Sequence, residues 1–368
     1  MRSAGTGIRV CAFGMSALLS ACNPTAPPAP KATPSASPVS ERRSTALTPL
    51  PVEDWSTRDM SAFGGAGDYA ATRAICAGVI HAEPPAADLP TAQEQAALSG
   101  CNSHALYYGI GMPADPVKAR QCAMIERTVK RDGPFGFFEA DGMLAMVYAN
   151  GRGAARNYDV AIHMACRIDD APAATDSRIR TLADHRRTRW TGNDFETCDD
   201  NTSGVGQGIC ADHGAQLAEQ SRRDRIARLA RAWTPAQRGL FDRAYASLSA
   251  YAETAHEMDC HGGTAHAACT IEGRDADIER FLGRVEALVQ GKPMPADQPS
   301  EGAHPAIAGE DWNERYAVAD EDEREWLTSN REQAVAARRI FERDLLAFAA
   351  SALPRLTPHQ VRAMFANI

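Results

Sequence analysis

The sequence predicts an all-α protein stapled by disulfides. Apolar residues recur at spacings of three and four through the second half of the chain, the mark of one-sided helices. A helix–turn–helix unit recurs in the first half with an offset of 40 to 42 residues, Tyr108 to Tyr148 and Ala119 to Ala161. Runs of alternating β-branched residues are missing, so no strand is expected.

The chain opens on a segment that reads as an export leader. Arg2 and Arg9 give a positive start, residues 10–19 are a short apolar run, and Leu19-Ser20-Ala21-Cys22 follows. That run is shorter than the ~20 apolar residues that span a bilayer as a helix, so residues 1–21 read as a signal peptide. Leu-Ser-Ala-Cys resembles the lipobox of bacterial lipoproteins. The resemblance implies a lipid on the Cys22 thiol. With Asn23 next instead of aspartate, it implies an anchor on the periplasmic face of a Gram-negative outer membrane. Acyl chains hold a protein there at ~0.8 kcal/mol per buried CH₂.

Residues 22–62 are rich in Pro, Ala and Ser. With little apolar surface to offset its ordering entropy, this stretch is expected to be an extended tether, the globular part beginning near Asp54 to Ala62. Nothing later is long and apolar enough to cross a membrane. The formal charge of −8 carries no basic footprint, so nucleic acid is not an expected partner. An acidic body suits a basic protein instead.

Ten cysteines are present. Cys11 leaves with the leader and Cys22 is the lipidation site. Cys76, Cys101, Cys122, Cys166, Cys198, Cys210, Cys260 and Cys269 remain. An even number in an oxidising compartment reads as four disulfides. Near-neighbour pairs are preferred, above all Cys198–Cys210 and Cys260–Cys269, whose intervening loops are short.

Residues 63–190 hold the repeat. The first unit runs from Ser103 to Gly109, turns at Asp115-Pro116, and continues from Val117 to Ala123. The second runs from Met143 to Tyr148, through Asn150-Gly151-Arg152-Gly153, and on from Asn157 to Cys166. Leu144, Tyr148, Asn150-Gly151-Arg152-Gly153, Tyr158 and Ala161 resemble the Sel-one-like repeat, a relative of the tetratricopeptide repeat, which implies paired helices in a short array. The first unit reads as degenerate, with Met112-Pro113 where the second glycine would stand. If Tyr107, Tyr108, Tyr148 and Tyr158 line a concave face, they are candidates to hold a partner.

Residues 191–368 form the second helical module. Ile226, Leu229, Ala230 and Trp233 make one apolar stripe on a helix over 219–233. Thr234-Pro235-Ala236-Gln237 starts the next, with Thr as N-cap and Gln at N3. Phe241, Tyr245, Leu248 and Tyr251 continue it. Ile278, Phe281, Leu282, Val285 and Leu288 mark another, and residues 335–348 a fourth. Thr357-Pro358-His359-Gln360 opens a short last helix. Four stretches here resemble the LprI-like family of lysozyme-inhibitor lipoproteins. They are Cys198-Asp199-Asp200 with Cys210-Ala211, Asp259-Cys260-His261-Gly262-Gly263-Thr264 with Ile271-Glu272, Trp312-Asn313-Glu314-Arg315-Tyr316, and Arg343-Asp344. The resemblance implies a non-enzymatic inhibitor or immunity protein whose partner is a lysozyme-type peptidoglycan hydrolase. The alternative is a scaffold whose repeats bind partners in an envelope complex.

No nucleophile elbow, phosphate loop, dinucleotide fingerprint or zinc-protease helix occurs, so no catalytic residue, cofactor or metal is expected. Cys260, His261, His266 and Cys269 have the donor atoms of a metal site but not the usual zinc spacing; a disulfide is the preferred use. Gly204-Val205-Gly206-Gln207-Gly208 reads as a flexible loop, Asp259 as a helix N-cap or turn residue, His163 as a packing histidine, and residues 320–325 as a solvated charge run.

Overall fold

The computed structural model describes residues 47–63, 67–129, 136–293 and 310–366. All of them lie in one compact unit spanning residues 43–368. The leader, Cys22 and the tether up to residue 46 lie outside the described residues. So does the side chain of Trp312.

The described residues contain thirteen α-helices and no strand. They are α1 (Ala70–Val79), α2 (Ala92–Ala97), α3 (Ser103–Tyr108), α4 (Pro116–Glu126), α5 (Ala140–Asn150), α6 (Tyr158–Cys166), α7 (Pro172–Thr188), α8 (Gly204–Leu229), α9 (Pro235–Asp259), α10 (His266–Gln290), α11 (Glu310–Val318), α12 (Glu321–Ala352) and α13 (Pro358–Met364). Four disulfides join Cys76 to Cys166, Cys101 to Cys122, Cys198 to Cys210 and Cys260 to Cys269. The fold is all-α and disulfide-stapled. No described helix is long and apolar enough to cross a membrane.

Helix starts follow their caps. Asn102, Asp115, Asn157, Ser203, Thr234, Asp320 and Thr357 each accept a hydrogen bond from a backbone N–H of the first turn. Each bond satisfies a donor that the helix itself leaves unpaired. The capping boxes expected at Thr234–Gln237 and Thr357–Gln360 are both formed.

The repeat units are the hairpins α3–α4 and α5–α6, and their register corrects the sequence reading. Gly109 and Gly151 both end a helix in the left-handed region. The N–H groups of Gly109 and Ile110 donate to Ala105, as those of Gly151 and Arg152 donate to Val147. Asp115 N–H donates to Leu106 as Asn157 N–H donates to Tyr148. Every one of these pairs is offset by 42. Gly109-Ile110-Gly111 is therefore the counterpart of Gly151-Arg152-Gly153, and the first unit keeps both glycines. What it lacks is the asparagine: Tyr108 stands where Asn150 does.

Gly153 shows why the motif needs glycine. Its φ is +95°, and a Cβ there would run into the carbonyl of Pro116 at the start of α4. One repeat thus stacks on the other through bare backbone. Gly153→Ala is expected to cost roughly 2 kcal/mol or more, from strain at positive φ and the displaced helix start. Denaturant titration checks it: the midpoint should fall with an unchanged slope.

The first core gathers α1, the two hairpins and α7 around Met143, Leu144, Val147, Tyr148, Ile162 and Met164. It runs on to Phe195, with Cys198, Ile209 and Cys210 packed against it. It also holds Trp55 and Met60, which revises the tether. Trp55 is fully buried, donates its ring N–H to Thr72, and bonds by its backbone N–H to Cys166 O. Leu50 N–H reaches Arg127 O. An indole's apolar area outweighs the low hydropathy of the residues around it, so 47–62 is a wrapped strap.

The second core is a bundle of α9, α10, α12 and the C-terminal half of α8, closed by α13. Phe241, Leu248, Tyr251, Phe281, Leu282 and Phe348 fill it. Two helices are longer than the apolar stripes suggest. α8 begins at Gly204, not near Glu219, so the glycine cluster is helical and not a loop. A Cβ on Gly204 would strike Thr264 and Ala265, and one on Gly208 would press on Ala267. The glycines let the first turns of α8 lie directly on the α9–α10 turn. α12 begins at Glu321, where Asp320 caps it and Glu321, Asp322 and Glu323 occupy its first turn. The charge run there faces the positive end of the helix dipole.

Candidate functional site

The four repeat tyrosines are engaged within the fold. Tyr107 and Tyr148 are core residues. Tyr107 takes a hydrogen bond from Asn150 and lies under the Arg152 guanidinium. Tyr148 donates to Asp88, which is held in turn by Arg120. Burial raises the pKa of both phenols, and at Tyr148 the Asp88 carboxylate adds to it. Tyr158 is half-buried and donates to Trp190 O at 2.6 Å. Neither Tyr107 nor Tyr148 has surface to offer a partner, so they are withdrawn as binding residues. Tyr108 is half-buried and belongs to a cluster described below.

The other singled-out residues are structural. Cys260 and Cys269 are bonded to each other. His261 stacks on Trp326, and His266 pairs with Glu257 at 2.8 Å. Among the described residues no group of three or more His, Cys, Asp or Glu side chains is placed to hold a metal ion. Asp259 is the last residue of α9, the opposite end from an N-cap. His163 is buried and meets Ala82 O at 2.8 Å.

Two features were not visible in the sequence. The first is a polar–aromatic cluster where the repeats meet α8. His104 Nε2 lies 2.7 Å from His213 Nδ1, and His213 Nε2 lies 3.4 Å from a Glu196 oxygen. Tyr108 donates to the other oxygen of Glu196 at 3.0 Å. Phe138 stacks on both imidazoles, at 4.5 and 4.2 Å. Burial, and then the His213 ring, push the His104 pKa down to about 4. Burial also pushes Glu196 up, but the hydrogen bonds from His213 and Tyr108 outweigh it and hold the carboxyl below its ordinary value. Tyr108 occupies the repeat position of Asn150, and both reach the same segment: Asn150 brackets the backbone of Phe195.

The second feature is a furrow along α8, made of two adjoining hollows of about 690 and about 500 Å³ that share Ala215 and Asp275. Ile110 and Gly111 of the α3–α4 turn line the larger one, with residues of α8, α9 and α10. Cys198 and Cys210 line the smaller. The furrow's cations are matched. Arg222 is held by Asp275 and Glu279, Arg223 by Glu219, and Arg274 by Asp275. Three of its carboxylates, Asp212, Glu253 and Glu272, are exposed and form no ion pair among the described residues. They come from α8, α9 and α10, so no local spacing could have announced them. Comparison with family models, curated proteins and solved structures returns no match.

Proposed function

We propose that this chain is a non-enzymatic binding protein that takes a basic protein partner into the furrow beside α8 and inhibits it. The resemblance of residues 191–368 points to a lysozyme-type peptidoglycan hydrolase as that partner. Attachment through Cys22 would hold the inhibitor at the outer membrane.

The observation that carries this reading is the charge balance of the furrow. Every lining guanidinium already has a carboxylate, while Asp212, Glu253 and Glu272 form no ion pair among the described residues. A basic surface supplies the missing charges, and uncompensated carboxylates in a concavity steer such a surface toward it. The repeat tyrosines, by contrast, are used internally, which favours the furrow over the repeats as the contact face.

The test is titration of the mature chain into a muramidase assay, with binding measured by calorimetry. Asp212→Lys/Glu253→Lys/Glu272→Lys is expected to weaken binding at least about tenfold, or 1.4 kcal/mol. The control Asp68→Lys/Glu325→Lys/Glu332→Lys changes net charge equally at exposed positions away from the furrow and should change binding less. Equal loss in both variants would reduce the furrow to a matter of net charge. No inhibition of any lysozyme-type hydrolase at micromolar excess would sink the partner assignment.

A further inference from the structure

The histidine pair joins parts of the chain 109 residues apart. His104 is the second residue of α3, and His213 lies in the N-terminal half of α8. Their neighbours line the furrow. Ile110 and Gly111 follow the Gly109 cap of α3, and Asp212 and Ala215 lie within two residues of His213. The contact that holds α3 against α8 therefore also sets the spacing between two walls of the furrow.

We propose that His104 and His213 form an acid-sensitive latch between α3 and α8, closed at neutral pH and released when the second imidazole is protonated. An Nε2···Nδ1 contact of 2.7 Å needs one ring to donate and the other to accept. The pair can therefore carry one added proton, and Glu196 stands beside His213 to balance it. A second proton would set two cations in contact with no acceptor left between them, against the face of Phe138. Among the described residues, the charged and titratable groups facing the pair are Glu196, from the segment before α8, and Tyr108, from α3. Only one of these is an anion at neutral pH, and it already receives bonds from His213 and Tyr108. The Arg152 guanidinium sits over the ring of Tyr107, next to Tyr108, and brings no anion to the pair. The second proton is accommodated by parting the rings.

The sign follows from the lowered His104 value. Its folded-state pKa, about 4, lies below the ~6.5 of a free imidazole. The contact is at full strength above pH 6.5, weakens as the pH falls through that window, and is lost at its lower end. Disulfides confine the change. Cys101–Cys122 keeps α3 on α4, and Cys198–Cys210 keeps the Glu196 segment on α8. Opening of the latch therefore need not unfold either core.

The latch would regulate the furrow proposed above, and that consequence rests on the furrow reading; the latch itself does not. The experiment uses the mature chain alone, by NMR from pH 8 to 3.5, following the histidine ring signals and the backbone amides. One ring of the pair is expected to resist protonation until below pH 5. The amides of Ile110, Gly111, Asp212 and Ala215 should shift together with that step. In His104→Gln the coupled step should disappear, while the amides of Phe281 and Phe348 in the second core keep their positions. Should His104→Gln fail to fold, the wild-type titration still decides. Independent titration of both rings near pH 6.5, with the furrow amides unmoved, overturns the latch, as does an unchanged acid step in His104→Gln. Neither result touches hydrolase binding at neutral pH, so failure of the latch and failure of the furrow reading can be told apart.

Discussion

Cys76→Ser/Cys166→Ser is expected to be the most destabilising of the four paired-cysteine replacements, costing about 4.5 kcal/mol in the chain-entropy account of a crosslink. The bond spans 90 residues, against 21, 12 and 9 for the other three. Without it the unfolded chain regains the freedom of a long loop. For Cys260→Ser/Cys269→Ser the same account gives about 2.5 kcal/mol. The site magnifies the difference. Cys76 on α1 and Cys166 on α6 are both fully buried, and Cys166 O anchors the Trp55 strap. Losing this bond loosens the N-terminal closure of the first core. Denaturant unfolding of the four serine pairs measures the order. If the replacement at 260 and 269 costs more than that at 76 and 166, native packing and not loop length governs these bonds.

The two short-range disulfides were legible because spacing bears on them directly: twelve and nine residues leave few other partners within reach. The 76–166 bond was not, since only tertiary folding brings α1 onto α6. The same division runs through the fold. Capping boxes at Thr234 and Thr357 are local chemistry and could be read off the chain. The Asn-Gly-x-Gly turn could also be read, but its first copy was misregistered. Tyr108 and Tyr148 invite alignment, whereas the hydrogen bonds pair Tyr108 with Asn150. A side chain that changes type while keeping its job, reaching the 195–196 segment, leaves no trace in a pattern. The glycines of α8 misled for the opposite reason. Gly204, Gly206 and Gly208 look like a loop by propensity, because propensity counts backbone entropy and not the neighbour that lies against the helix. The site was the least legible part. His104, Glu196 and His213 are unremarkable where they stand, and Asp212, Glu253 and Glu272 look like ordinary solvated charges. Their meaning depends on which cations lie beside them, a property of the assembled surface alone.

Asp170→Ala is expected to cost about 3 to 5 kcal/mol, the range for stripping one partner from a buried ion pair. Arg178 and Asp170 meet at 2.7 Å with both side chains wholly inaccessible to water. The guanidinium also donates to Thr197 O and lies over the ring of Phe137. Among the described residues its Nε and Nη1 have no hydrogen-bond acceptor, and Asp170 is the carboxylate paired with it. Asp170 does more than balance that charge. Its Oδ1 accepts the Ala171 N–H at the start of α7, and its carbonyl accepts from Arg58 of the strap. The pair therefore ties α7 and the strap to the segment that carries Glu196. A double variant separates these roles. Arg178→Met/Asp170→Ala removes the orphaned charge and should recover much of the loss, because an apolar replacement of a buried pair is often near neutral. Any loss that persists in the double variant measures what Asp170 does for the helix start and the strap. If Asp170→Ala and the double variant are equally unstable, the charge of Arg178 is solvated in some other way, and the buried pair matters for position instead of electrostatics.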